Sequence, residues 1–158
     1  MRVSPLLLAL MVSTLLSLPA YASARDITSP QAVTRTYAQN YKDMVLATCL
    51  TQAYRNDTGV ATDAGSSISA LRDWTYFDMD QSPDAVNSLV NSYLARDYSN
   101  PLVESEIKGV RFDFLKCMDL YHSKALDALA KRLVIHPKRI YGQENPSRPQ
   151  AQGAATAR

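Results

Sequence analysis

Histidine, cysteine and glycine are scarce in this chain of 158 residues, with two, two and five copies. Each scarcity removes a class of protein. So few glycines, beside long stretches that follow a helical period, exclude a turn-rich all-β fold. Two cysteines and the distant His122 and His136 lack the spacing of ligand pairs, so no zinc or other metal centre is expected. There is no P-loop, dinucleotide fingerprint, metal-binding loop or nucleophile elbow, and no cofactor is implied. A large excess of one charge is missing as well. The formal net charge is +2, which gives no reason to expect nucleic acid as a partner. No apolar run reaches the roughly 20 residues that a membrane-spanning helix needs.

The first residues are the most directive. Arg2 precedes an apolar run from Leu6 to Leu18, which the small residues of Leu18-Pro19-Ala20-Tyr21-Ala22-Ser23-Ala24 break. This is the pattern of a secretory signal peptide over residues 1–24, with A-x-A sites ending at Ala22 or Ala24. A retained anchor is the competing reading of the same run. Neither site is followed by a cysteine that could carry a lipid. The expected product is exported, with no membrane anchor after cleavage.

Removal of 24 residues leaves 134, one domain of ordinary size, with 16 basic and 15 acidic side chains. Residues 25–106 carry 6 basic and 11 acidic residues, whereas 107–158 carry 10 and 4. Such asymmetry can steer a charged partner, and it equally describes the solvated faces of two helical regions. In an exported chain Cys49 and Cys117 are expected to form a disulfide; two buried free thiols are the alternative.

The periodicity predicts a bundle of about five helices. Ser29-Pro30 can open a first helical segment. A strong stripe comes next at Tyr37, Tyr41, Met44, Val45, Thr48, Cys49 and Ala53, ended by the turn residues Asn56-Asp57-Thr58-Gly59. Thr62 or Asp63 can cap a second helix, with Ala64, Ile68, Leu71 and Trp74 or Thr75 inward. Ser82-Pro83-Asp84 starts a third, with Val86, Leu89, Val90, Tyr93 and Leu94 inward. Asn100-Pro101 marks a break. Beyond it Val110, Phe114, Cys117, Met118 and Tyr121 form a stripe, with Lys108, Arg111, Lys116 and Asp119 on its surface. Ser123 restarts a last helix with Leu126, Leu129, Ala130, Leu133 and Val134 inward, stopped by Pro137. The helical domain is expected over residues 25–141, and the Pro/Gln/Ala-rich residues 142–158 read as a disordered tail.

The catalytic inventory is thin. Both cysteines sit at core positions, His122 does not share a helix face with Cys117, and no carboxylate pair is placed across a cleft. The residues therefore favour a binding protein over an enzyme. A periplasmic helical chaperone or assembly factor would have the same outline, and a small enzyme of unfamiliar type is a third possibility.

One long run narrows the choice. Residues Tyr93-Leu94-Ala95-Arg96-Asp97-Tyr98-Ser99-Asn100-Pro101-Leu102, continuing through Lys108-Gly109-Val110-Arg111-Phe112-Asp113-Phe114-Leu115-Lys116-Cys117 to Asp119-Leu120-Tyr121-His122-Ser123, resemble the periplasmic immunity proteins that neutralise type VI secretion amidase effectors, specifically the fourth amidase-immunity family. Lys42-Asp43-Met44-Val45-Leu46-Ala47-Thr48-Cys49-Leu50 and Trp74-Thr75-Tyr76-Phe77-Asp78 fit as well. The resemblance covers roughly Tyr37 to Tyr141. It implies an all-helical protein, commonly a homodimer, that binds a cysteine-peptidase-type cell-wall amidase in the periplasm. The immunity protein occludes the catalytic cleft and has no catalysis of its own. Such effectors cleave γ-D-glutamyl–meso-diaminopimelate bonds.

A narrow cleft admits a loop more readily than a helix face. The candidate contact is therefore the break itself: Asp97, Tyr98, Ser99, Asn100, Pro101, Leu102, Glu104 and Glu106. Tyr98 or Leu102 would be the apolar anchor and the carboxylates would pair with cationic groups of the effector. The plainer reading is a helix–helix connection whose apolar residues cover the core.

Overall fold

Tyr37–Ala53 forms α1, the longest helix among the described residues, and the other major helices are arranged around it. α2 (Thr58–Asp73), α3 (Ser82–Leu94), α5 (Asp113–Tyr121) and α6 (Lys124–Leu133) all contact α1, while α4 (Pro101–Glu106) and α7 (Tyr141–Glu144) are short. This arrangement is seen in a computed structural model that describes residues 30–146. Among these there is no β-strand, only isolated bridges between Thr36 and Ile140 and between Phe77 and Val134.

The central position of α1 explains its residue pattern. Tyr37, Tyr41, Met44, Val45 and Cys49 are buried as the stripe predicts, but Asn40 and Ala47 are buried too. A helix packed on several sides cannot spend only one face. Asn40 is tolerated there because its amide donates to the carbonyls of Ala32 (2.8 Å) and Trp74 (3.3 Å), which offsets the cost of burying a polar group. The N-terminus of α1 is closed by a capping box between Thr36 and Gln39.

Around α1 the core is completed by Leu71 of α2, Val86, Val90 and Tyr93 of α3, Cys117 and Leu120 of α5, and Leu126, Leu129, Ala130 and Leu133 of α6. Each large aliphatic side chain buried in this way stabilises the fold by about 1.5–3 kcal/mol. Cys49 and Cys117 form a disulfide, with Cα atoms 5.7 Å apart, and it links α1 to α5 through the core.

Several boundaries differ from the sequence expectation, each for a local reason. The Ser29-Pro30 start leads only into a single 3-10 turn at Gln31–Thr34; Ser29 lies outside the described residues. α2 begins four or five residues before Thr62 and Asp63, because the Asp57 carboxylate accepts hydrogen bonds from the Gly59 and Val60 amides and so caps the helix itself. Ser82 is the first residue of α3 rather than its cap. Its hydroxyl is buried in a 2.7 Å hydrogen bond with the Tyr41 hydroxyl, and Asp78 serves the preceding turn by accepting from the Asp80 and Gln81 amides.

The largest correction concerns α5. Phe112 has φ +54°, a left-handed conformation that ends the preceding turn, so Val110 lies outside the helix and α5 starts at Asp113. The buried face is Asp113, Lys116, Cys117 and Leu120. Phe114, expected inward, is 54% exposed, and Lys116, expected on the surface, is buried. α6 keeps its predicted pattern, with the Ser123 hydroxyl accepting from the Leu126 amide as N-cap. Tyr141–Glu144 forms a helical turn that takes in the first residues of the expected tail. Residues 1–29 and 147–158, which include the expected signal peptide and most of the tail, lie outside the described residues.

Candidate functional site

The break between α3 and α5 is not a bare loop. Asn100-Pro101, which reads in the sequence as a helix breaker, is a helix start: Asn100 is the N-cap and Pro101 is the first helical residue. The Asn100 side chain accepts from the Leu102 and Val103 amides at 3.2 and 3.3 Å. Glu104 reaches back to accept from the Asn100 amide at 2.6 Å. The exchange resembles a capping box with the acid one position later than usual.

This self-capped turn stands off the bundle, since none of its residues is buried. At its tip Leu102 is 83% exposed, more than any other large apolar side chain described. Asp97, Ser99, Asn100, Pro101 and Glu106 are exposed, and Glu104 is half-buried by its role in the cap. Of the carboxylates expected to meet a partner, Asp97 and Glu106 are therefore the ones turned outward, while Glu104 shapes the turn.

Tyr98 does not share the arrangement of Leu102. It is half-buried, and its hydroxyl donates to the Asp119 carboxylate of α5 at 2.5 Å. That hydrogen bond, with some burial, raises the phenol above its ordinary value. Beside it, the Lys116 ammonium lies 5.9 Å from the Tyr98 ring centroid and donates to Asp113 (3.1 Å) and to the Leu94 carbonyl (3.2 Å).

Three exposed apolar residues beyond the turn escape a sequence reading: Ile107, Phe114 and Leu115. Phe114 and Leu115 border an open depression with Tyr54, Val110, Arg111 and Phe112. Lys108-Gly109 is the available signal that the chain turns there, because a glycine at φ +72° lies just past the end of α4.

No constellation of catalytic type comes together here. Both cysteines are in the disulfide, so the chain has no thiol nucleophile. His122 and His136 are not buried in any cleft with a nucleophile; among the described residues no group of three or more His, Cys, Asp or Glu side chains could hold a metal ion.

Comparison with known proteins gives a consistent picture. The model of a family described as type VI secretion system amidase immunity protein, Tai4, matches residues 39–130. A structurally similar chain comes from work on new type VI-secreted toxins and self-resistance proteins in Serratia marcescens. It is 28% identical, with a TM-score of 0.67 over 77% of this chain and 95% of that one. The Tae4/Tai4 effector–immunity system of Salmonella typhimurium, as its selenomethionine variant, supplies another, 22% identical, with a TM-score of 0.52 over 66% of this chain and 96% of that one. The second likeness bears on the fold alone. No curated protein sequence matches the chain.

Proposed function

The chain belongs to the type VI secretion amidase immunity family, and from that premise we propose that it occludes the catalytic cleft of a cognate peptidoglycan amidase effector of the cysteine-peptidase type. It does so in the periplasm, as a homodimer and without catalysis of its own, and protects the producing cell and its kin.

The observation that carries this reading is α4. A cleft built around a peptide substrate is narrow, and the flank of a helical bundle cannot enter it. A six-residue turn with its own cap and no buried residue can. Leu102 is the apolar anchor, because fully burying an exposed leucine side chain contributes about 1.5–3 kcal/mol. Asp97 and Glu106 flank it and favour a cationic rim, setting association rate and specificity more than affinity. Asn100, Pro101 and Glu104 hold the turn in shape, and Ser99 is exposed just before it. Export rests on residues 1–24, whose pattern of charge, apolar run and small residues is that of a cleaved leader.

The test is to mix the mature protein with a catalytically inactive amidase from the same genome and follow the mixture by size-exclusion chromatography with light scattering. The expected result is a complex with one amidase per protomer, whose mass also reports the dimer. Leu102→Asp should weaken it by at least about 100-fold, the order of a central interface anchor. Full binding by Leu102→Asp would remove α4 from the interface, and no complex with any such amidase would overturn the pairing itself.

A further inference from the structure

We propose that Tyr98 is a positioning residue, the strut that fixes the direction in which α4 leaves the bundle, so that the turn meets its partner already in place. The sequence alone makes Tyr98 a candidate contact with the effector; the geometry turns it inward. The inference rests on α4 being the effector-binding element.

Residues 99–108 include no buried residue, and their hydrogen bonds, made by Asn100, Leu102, Val103, Glu104, Ser105 and Ile107, all stay within the segment. What holds it lies at its two ends, and both ends are moored to α5. At the leading end Tyr98 donates to Asp119. At the returning end Asp113, 9% exposed, pairs with Lys116 and with Arg111. Lys116 lies between the two moorings: it donates to Leu94 at the end of α3, and its ammonium sits near the Tyr98 ring. Just upstream, the Arg96 guanidinium stacks 3.4 Å over the Tyr93 ring, fixing the chain as it approaches Tyr98.

The Tyr98 hydroxyl is therefore the last anchored group before the exposed segment. A phenol–carboxylate hydrogen bond is of the stronger, charge-assisted kind. Removing it leaves the α4 cap intact but frees the turn to swing on the remaining mooring. A binding element correctly placed only part of the time loses apparent affinity in proportion to that fraction.

The experiment uses the mature full chain and the variants Tyr98→Phe, Asp119→Ala, their combination, and Leu102→Asp. Backbone order parameters from nitrogen-15 relaxation are measured on the free protein, and binding to the inactive amidase is measured separately. Tyr98→Phe and Asp119→Ala should each lower the order parameters of residues 99–107 from about 0.85 to about 0.6 or below. Each should weaken amidase binding roughly tenfold, and the double variant should be no worse than either single one. Leu102→Asp should weaken binding with the order parameters unchanged. Thermal unfolding midpoints within about 2 °C of the parent confirm that every variant is folded.

Unchanged order parameters in Tyr98→Phe would overturn the strut whatever the binding shows. Lowered order parameters with full binding, while Leu102→Asp still binds weakly, would overturn the positioning role and leave the docking role of α4 standing. Full binding by all the variants would overturn both.

Discussion

Asp113 and Lys116 form a buried ion pair one helical turn apart on α5, with nitrogen and oxygen 3.1 Å from each other and the residues 9% and 5% exposed. Each has a second partner: Arg111 lies 3.2 Å from the Asp113 carboxylate, and the Leu94 carbonyl accepts from Lys116. Lys116→Met removes the buried cation while keeping its volume. It should destabilise the fold by about 3 kcal/mol, the lower part of the range for breaking a buried pair, because Arg111 remains to compensate Asp113. Urea unfolding measures this, and an unchanged midpoint would show that the pair is not coupled to the fold.

Asn100→Ala and Glu104→Ala strike the cap of α4 from opposite ends. Losing a cap costs about 1 kcal/mol, and α4 contributes no buried residue to the core, so the global unfolding midpoint should stay where it is. Inhibition of the amidase should fall about fivefold, the equivalent of that local cost. A titration of amidase activity with each variant gives the number; a drop in global stability of the same size would mean that the turn is part of the core.

Removing the disulfide by Cys49→Ala with Cys117→Ala opens a constraint between residues 68 apart in sequence. Chain entropy alone predicts a loss of about 4 kcal/mol. The parent treated with a reductant under denaturing conditions should show a similar loss, and the double variant should be indifferent to reductant.

Glu144 accepts a hydrogen bond from the Tyr37 hydroxyl at 2.5 Å and pairs with Arg139 at 2.6 Å. These partners, Tyr37 first, hold its carboxyl below the usual value of 4.5. A carboxyl depressed on folding adds stability that is fully present above its unfolded value and is lost as the pH falls through its folded one. Glu144→Gln keeps an acceptor for Tyr37 but not the charge. Parent and variant should therefore differ most near neutral pH and converge under acid, as measured by thermal unfolding across a pH series. A constant difference would rule out the linkage.

What can be read from the sequence depends on how local its cause is. α3 and α6 are legible because their apolar residues recur at helical spacing and their starts carry recognisable chemistry. The disulfide is legible because the chain holds two cysteines behind an export-type leader, an environment in which such a pair oxidises. The phase of α5 is not, because a left-handed Phe112 resets it and no propensity predicts that conformation in a bulky residue. α4 is too short for any periodicity, so Asn100-Pro101 reads as an ending when it is a beginning. The break itself marks the segment to inspect. That Tyr98 turns inward is set by Asp119 and Lys116, and side-chain contacts across elements leave no imprint in spacing.

The two margins of the described chain close on each other. Thr36 bridges Ile140, the Tyr37 amide donates to the Arg139 carbonyl, and the Tyr37 hydroxyl reaches Glu144, 107 residues away. Gly142 passes so near the Val33 carbonyl that a Cβ there would lie 2.9 Å from its oxygen. This gives assembly a direction. During synthesis the start of the central helix cannot be sealed until residues 137–144 have also emerged, and contacts of such long sequence separation form slowly. The start of α1 is thus sealed late, by residues 137–144, far downstream of it in the chain.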